Sequence, residues 1–186
     1  MRSIARSLGL AEDVFDAHFS GGISTLRLIR YPRRAADATV AGPDYWVEHG
    51  GEKRLIVGKE HADSGFVTLL AQDGVEGLQA RNHAGAWIDV PPADGMLAVN
   101  FGRLLERWTG GVVQATPHRV IAPGRERFSI PFFYEPRADA EIAPLPIASA
   151  TPFTPFLYGD YLWEQATNFV EMAGVKNLRK PKAALA

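Results

Sequence analysis

The chain contains no cysteine among its 186 residues. A disulfide framework, a cysteine-ligated zinc site, an iron–sulfur cluster and a cysteine nucleophile are therefore excluded. A chain of this kind fits a reducing compartment, and a cytoplasmic location is expected. No apolar run approaches the ~20 residues that cross a bilayer, so no membrane partner is expected. Arg2 and Arg6 precede an apolar stretch, but Glu12 and Asp13 interrupt any signal-peptide core. An excess of one charge is missing too. Twenty basic residues face twenty-one acidic ones, for a net charge of −1. They are interspersed without a basic stripe, which argues against nucleic acid as a partner. What is present is a hydrophobic fraction of 46% beside 22% charged residues, enough to bury a sizeable core. The length suits one domain with helical appendages, and a monomer is expected.

Residues 1–19 have a roughly 3.6-residue apolar spacing through Ile4, Leu8, Leu10, Val14, Phe15 and Phe19. This predicts one helix, weakened at Gly9 and stopped by Gly21-Gly22. Thr25 to Tyr31 alternates and predicts a strand, ended by Pro32. Residues 33–52 are polar and rich in Ala, Gly and Asp, and read as a surface loop before a short strand at Arg54–Val57. Further strands are predicted at 66–70, 77–81, 87–90, 96–101, 112–115, 118–121 and 127–134, with a short helical segment at 103–108. About eight short strands at close spacing predict a sandwich or jelly-roll barrel. A connector at 143–155 carries Pro144, Pro146, Pro152 and Pro155. It leads to a helix over 158–174 and a basic tail. The organisation expected is 1–24 as an N-terminal helix, 25–142 as the barrel, and 143–186 as connector, helix and tail.

The chemistry concentrates at Lys59-Glu60-His61-Ala62-Asp63-Ser64-Gly65. On an extended chain His61 and Asp63 point to one face and can ligate one metal ion. Alone this pair is a chance-level signal. His118 follows 55 residues after Asp63, Arg127 nine residues after that, and Ser129 two further on. Two imidazoles and a carboxylate form the facial triad of non-haem iron(II) oxygenases, leaving about half the coordination positions open. Arg127 and Ser129 share a strand face, and a guanidinium fork beside a hydroxyl suits a carboxylate. Tyr31 is a further polar candidate at the barrel mouth. His18, His49 and His83 read as solvated. Trp87, Trp108, Phe101 and Phe132 read as core, while Phe133 and Phe66 are candidates for pocket lining.

These residues stand in motifs in register. They include Leu28-Ile29-Arg30-Tyr31-Pro32, His61-Ala62-Asp63-Ser64-Gly65-Phe66-Val67-Thr68-Leu69-Leu70 and Trp87-Ile88-Asp89-Val90-Pro91-Pro92. Val99-Asn100-Phe101-Gly102, His118-Arg119-Val120 and Arg127-Phe128-Ser129-Ile130-Pro131-Phe132-Phe133 follow. Over about Leu26–Pro146, and again at Tyr158-Gly159-Asp160-Tyr161, the chain resembles the isopenicillin N synthase-like family of iron(II) and 2-oxoglutarate-dependent oxygenases. The resemblance implies a double-stranded β-helix, or jelly roll. It implies His61, Asp63 and His118 as iron ligands, and Arg127 and Ser129 with Tyr31 as the clamp for 2-oxoglutarate. It implies Fe(II) as cofactor, 2-oxoglutarate and O2 as cosubstrates, and a small organic substrate that is hydroxylated, desaturated or cyclised.

Two alternatives stay open. In the isopenicillin N synthase branch the same Arg-x-Ser holds a substrate carboxylate and no 2-oxo acid is used. A shortened, non-catalytic metal-binding relative is the other. The chain departs from the family at Arg103, where an acidic residue is usual; that position is expected to concern helix or nearby packing contacts. It also departs in its start. Family members usually carry a long segment before the helix that opens here, so Met1 reads as a late start, a truncation or a short variant. The helix at 1–19 would be a remnant of that segment, and a barrel face would lack its cover.

Overall fold

The computed structural model describes residues 1–33, 42–168 and 170–178. Its helices are α1 (Arg2–Ser7), α2 (Asp16–Phe19), α3 (Arg103–Trp108) and α4 (Tyr158–Ala166). Its strands are β1 (Thr25–Leu26), β2 (Ile29–Tyr31), β3 (Trp46–His49), β4 (Glu52–His61), β5 (Val67–Gln72) and β6 (Leu78–Arg81). They continue as β7 (Trp87–Asp89), β8 (Ala98–Phe101), β9 (His118–Ile121), β10 (Arg127–Tyr134), β11 (Glu141–Ile142) and β12 (Phe156–Leu157).

Two antiparallel sheets face each other across a cavity. One runs β1-β10-β5-β8 with β2 also on β10, and the other runs β3-β4-β9-β6-β7. This is the expected jelly roll. The inward positions of β10 are Arg127, Ser129, Pro131 and Phe133, the two-residue alternation of a strand. Opposite them stand Tyr31, Ile29, Arg27 and Thr25, so each inner rung holds one residue from each side. The outer face of this sheet is apolar and open to solvent at Leu26, Val99, Phe128 and Ile130.

Most hydrophobic burial lies at one end of the barrel rather than between the sheets. Phe15, Phe19, Phe66, Leu104, Leu105 and Trp108 form its centre, joined by Ile142, Tyr158 and Tyr161. Phe15, Phe66 and Trp108 meet edge to face at centroid distances of 5.1–6.0 Å. The short helices are thus held by packing rather than by their own length.

Several expected elements are corrected. The helix over 1–19 is two short helices. Gly9 takes φ +70, and Gly9 N–H and Leu10 N–H bond back to Arg6 and Ala5 carbonyls, closing α1 with a Schellman turn. The strand over 25–31 is split at Arg27-Leu28. Its partner Pro131 has no N–H to return, so only Arg27 N–H to Pro131 O (3.0 Å) bridges the gap. The loop over 33–52 contains β3, which pairs with β4 through Gly50-Gly51 at φ +61 and +78, values that suit a tight hairpin turn. Residues 34–41 of that loop lie outside the described residues. The short strand at 54–57 is the middle of the ten-residue β4. Residues 112–115 form no strand, because Gly110 and Gly111, at φ +59 and +85, turn the chain after α3. The helix over 158–174 ends at Ala166, and Val170–Leu178 is a 3₁₀ segment. The tail beyond 178 lies outside the described residues.

Candidate metal centre and cosubstrate pocket

His61 ends β4 and His118 begins β9, and the two residues are direct cross-strand partners. Irregular pairing between Ile56 and His61 adds local twist at this rim. Their rings stand 4.3 Å apart. Asp63 follows β4 by two residues and turns its carboxylate between them, with Oδ1 3.7 Å from each Nε2. One ligand atom from each of the three lies within 4.8 Å of the others.

The surroundings orient all three. His61 Nδ1 donates to the Lys59 carbonyl (2.8 Å), and His118 Nδ1 to Thr116 O (3.0 Å). With Nδ1 carrying the proton, both Nε2 lone pairs face Asp63, the tautomer a metal ligand needs. Burial lowers the His118 pKa, opposed by the Asp63 charge, so its imidazole is neutral near pH 7. Asp63 Oδ2 accepts from Thr68 Oγ1 (2.5 Å) and Asn100 Nδ2 (2.8 Å), leaving Oδ1 facing the histidines. The backbone is tied as well. Arg103 N–H donates to Asp63 O at 2.7 Å, and Leu104 N–H to the Ser64 and Gly65 carbonyls. A Cβ on Gly102 would collide with Gly65 O. Position 103 thus contributes its amide, at the start of α3, to holding this turn.

Arg127 lies on the same cavity and is 0% exposed. Its Nη2 donates to Gln72 Oε1 (3.0 Å) and its Nε to Val75 O (3.3 Å), while the Tyr31 ring lies 5.1 Å from its guanidinium carbon. Nη1 is buried without a hydrogen-bond partner. Burial lowers its pKa, with Tyr31 and Asp73 opposing, but a guanidinium stays charged. A buried cation with a spare donor in a cavity fits an anionic ligand. Ser129 faces inward on the next rung, and Tyr31 sits directly across from Arg127.

The cavity has a volume of about 730 Å³, within the range of small-molecule sites. Its walls are largely apolar, with Leu70, Leu78 and Val120 among them. Phe133 is among its lining residues. Phe66 is not: its ring is wholly buried in the end core among Phe15, Phe19 and Trp108. It shares the parity of the inward Thr68 and Leu70, but it stands in the bend before β5, where alternation does not hold.

His49 is not simply solvated, since its Nε2 meets both Asp89 oxygens at 3.0 Å. His18 packs edge-on against Trp108, with ring centroids 4.8 Å apart, and His83 meets Gln114 at the surface. Trp108 is core, whereas Trp87 lies under the Arg119 guanidinium at 4.1 Å. Thr68, Asn100, Gln72, Glu135 and Arg27 line or support the site and carried no assignment from sequence. Thr68 could have been found as the polar residue that interrupts the apolar run 66–70, and Asn100 is its cross-strand partner. Glu135 could have been found by extending the inward series of β10 past Phe133.

A jelly roll with a two-histidine, one-carboxylate cluster and a buried arginine defines a class of mononuclear metal-dependent enzymes. The chain belongs to the 2OG-Fe(II) oxygenase superfamily, whose model matches residues 17–136. It is 37% identical over 139 residues to the 2-oxoglutarate-Fe(II) type oxidoreductase hxnY of Emericella nidulans, covering 73% of this chain and 36% of that protein. It is 33% identical over 180 residues to the homoarginine-6-hydroxylase 2-ODD-233 of Oryza sativa subsp. japonica, covering 91% of this chain and 51% of that protein. A full-length Neurospora crassa protein, solved in complex with alpha-KG and thymine, superposes with a TM-score of 0.78 at 30% identity, covering 91% of this chain and 51% of that one. The chain therefore spans about half or less of the length of these relatives.

Proposed function

We propose that the protein is an Fe(II)- and 2-oxoglutarate-dependent dioxygenase, with His61, Asp63 and His118 as iron ligands and Arg127, Ser129 and Tyr31 as the cosubstrate clamp. Its substrate is a small organic molecule, its compartment the cytoplasm. The observation that carries this reading is the pairing, in one apolar-walled cavity, of two Nε2 atoms and a carboxylate oxygen with a buried guanidinium whose Nη1 is spare. Bound iron(II) chelated by 2-oxoglutarate supplies the redox chemistry: O2 oxidises the substrate while the cosubstrate becomes succinate and carbon dioxide.

The chain's residues do the rest. The Asp63 carboxylate offsets one positive charge of the ion, and the Nδ1–H bonds hold both imidazoles in the ligating tautomer. Arg127 binds the far carboxylate of 2-oxoglutarate through Nη1, with Ser129 and Tyr31 offering hydroxyls to it. The clamp fixes the cosubstrate so that its oxo-acid end reaches the His61–Asp63–His118 rim. Leu70, Leu78 and Val120 exclude water from the cavity and strengthen both charge pairings.

The test is an anaerobic iron(II) titration with and without 2-oxoglutarate, watching the charge-transfer absorption of the chelate, followed by succinate assay in air. Chelate absorption and iron-dependent succinate, both lost in His61→Ala, are expected. Iron binding with no chelate absorption would overturn the reading. Oxygen consumption without succinate would instead favour an isopenicillin N synthase-like oxidase, in which Arg127 and Ser129 hold a substrate carboxylate.

A further inference from the structure

Four charged side chains besides the two histidines line the cavity: Arg27, Asp63, Arg127 and Glu135. Asp63 is held by Thr68 and Asn100, Arg127 by Gln72 and Val75. Glu135 lies buried beside the Tyr158 hydroxyl. Arg27 differs: it lines the cavity yet is exposed to solvent, and its guanidinium has no hydrogen bond or ion pair with any described residue. Its backbone is nonetheless fixed by the bond from Arg27 N–H to Pro131 O. That bond places Arg27 between Thr25 and Ile29 on the inner face, two rungs from Tyr31 and Arg127. Two rungs of a strand are about 13 Å, so Arg27 stands apart from the clamp and nearer the Phe133–Thr68 level that supports Asp63. Thr25, Pro131 and Phe133 share its stretch of the inner face, and Leu162 and Ala166 of α4 line the same cavity.

A solvent-accessible guanidinium without a partner, on the wall of a largely apolar ligand cavity, is suited to a single anionic group on an apolar body. We infer that Arg27 is a specificity-determining residue that binds the carboxylate of the primary substrate, which is therefore an organic monoacid with an aliphatic or aromatic body. The inference rests on the proposed iron and 2-oxoglutarate reading. In the loaded enzyme Arg127 is taken by the cosubstrate, and Arg27 remains as the cavity's unpaired cation. Phe133 and Leu162 cover the acid's body while the Arg27 fork sets which end faces the metal site.

The experiment uses the full chain loaded with iron(II) and saturating 2-oxoglutarate under anaerobic conditions, so that the Arg127 site is occupied. Phenylacetate, hydrocinnamate and hexanoate are each titrated beside their primary amides, following the perturbation of the chelate absorption. Binding of at least one acid about tenfold tighter than its amide is expected, the size of one charge-assisted pair. R27Q is expected to bring that acid-to-amide ratio close to one, and R27K, which keeps the charge but loses the fork, to give an intermediate ratio. A ratio unchanged in R27Q, amides binding as well as acids, or no acid binding at all would overturn the inference. So would a loss in R27Q confined to 2-oxoglutarate affinity, which would move Arg27 to the cosubstrate clamp. Failure of the underlying reading looks different, because the chelate absorption is then missing before any acid is added.

Discussion

The Arg127 guanidinium offers a test in which stability and binding move independently. It is fully buried and forms no ion pair with a described carboxylate. Removing such an ion from water costs several kcal/mol. Against this stand hydrogen bonds to Gln72 and Val75, worth about 1.5–3 kcal/mol each for a charged donor. The Tyr31 ring adds about 0.5–2 kcal/mol. The terms nearly cancel, so replacing the charge with an apolar side chain of similar length is expected to change the stability of the metal-free protein little. We predict that Arg127→Met keeps the unfolding free energy within about 2 kcal/mol of wild type, measured by urea denaturation. Its effect on 2-oxoglutarate is expected to be much larger. Taking away one side of a desolvated charge pair costs about 2–5 kcal/mol, at least about thirtyfold in Kd. The assay is the anaerobic titration of the iron(II)-loaded protein, read by chelate absorption. A folded variant binding 2-oxoglutarate within about threefold of wild type would refute the assignment of the spare Nη1 donor to the cosubstrate.

Thr68→Val removes one of two hydrogen bonds holding Asp63 Oδ2 without touching a proposed ligand atom. Iron(II) affinity, from competition with a chelator of known strength, should fall about 10- to 100-fold. Phe66→Ala should destabilise by about 3–5 kcal/mol in thermal or denaturant unfolding, because Phe66 fills the end core. Its 2-oxoglutarate Kd should not move, since the ring lies outside the cavity. Burial pushes the Glu135 carboxyl up to about 7, with Tyr158 opposing and the Asp63 charge adding to the rise. The native state then holds a proton that the unfolded chain releases near pH 4.5. Stability should therefore fall as pH rises from about 4.5 to about 7, by up to about 3 kcal/mol, and Glu135→Gln should flatten that slope.

The parts of this molecule legible in its sequence share a physical character. They depend on strand parity and on residue types with few alternative uses. Alternation placed Arg127 and Ser129 on one face of β10, and the structure puts both there, with Phe133 two rungs further on. Phe66 marks where that rule stops. Counting back from Leu70 and Thr68 aims it at the cavity, but β5 begins only at Val67, and the bend at residues 64–66 turns the ring into the end core. The other misreadings come from backbone features whose effect depends on the partner strand. Pro131 splits the strand opposite it only because that strand pairs with it, and nothing within residues 25–31 signals the break. The Gly50-Gly51 turn lay inside the polar, Ala- and Gly-rich run that reads as one loop, and that run masked the four residues of β3. Residues supporting the site were hardest to read, because their roles rest on contacts across strands. Asn100 reaches Asp63 from β8, 37 positions away, and Gln72 reaches Arg127 across 55.

The placement of His61, Asp63 and His118 explains how the cluster closes. His61 and His118 pair across a rim where β4 is irregular, and Asp63 lies just outside the ladder. A regular strand would put His61 and Asp63 side by side on one face at two-residue spacing. Releasing Asp63 from the ladder lets its carboxylate swing back between both imidazoles. The freed backbone then needs other partners, and α3 supplies them: its first amides bond the carbonyls of residues 63–65, and Gly102 lets the helix approach that closely. The geometry of the His61–Asp63–His118 cluster thus rests on a helix start as much as on the sheets. Any residue at 102 larger than glycine should cost the cluster its geometry before it costs the barrel its fold.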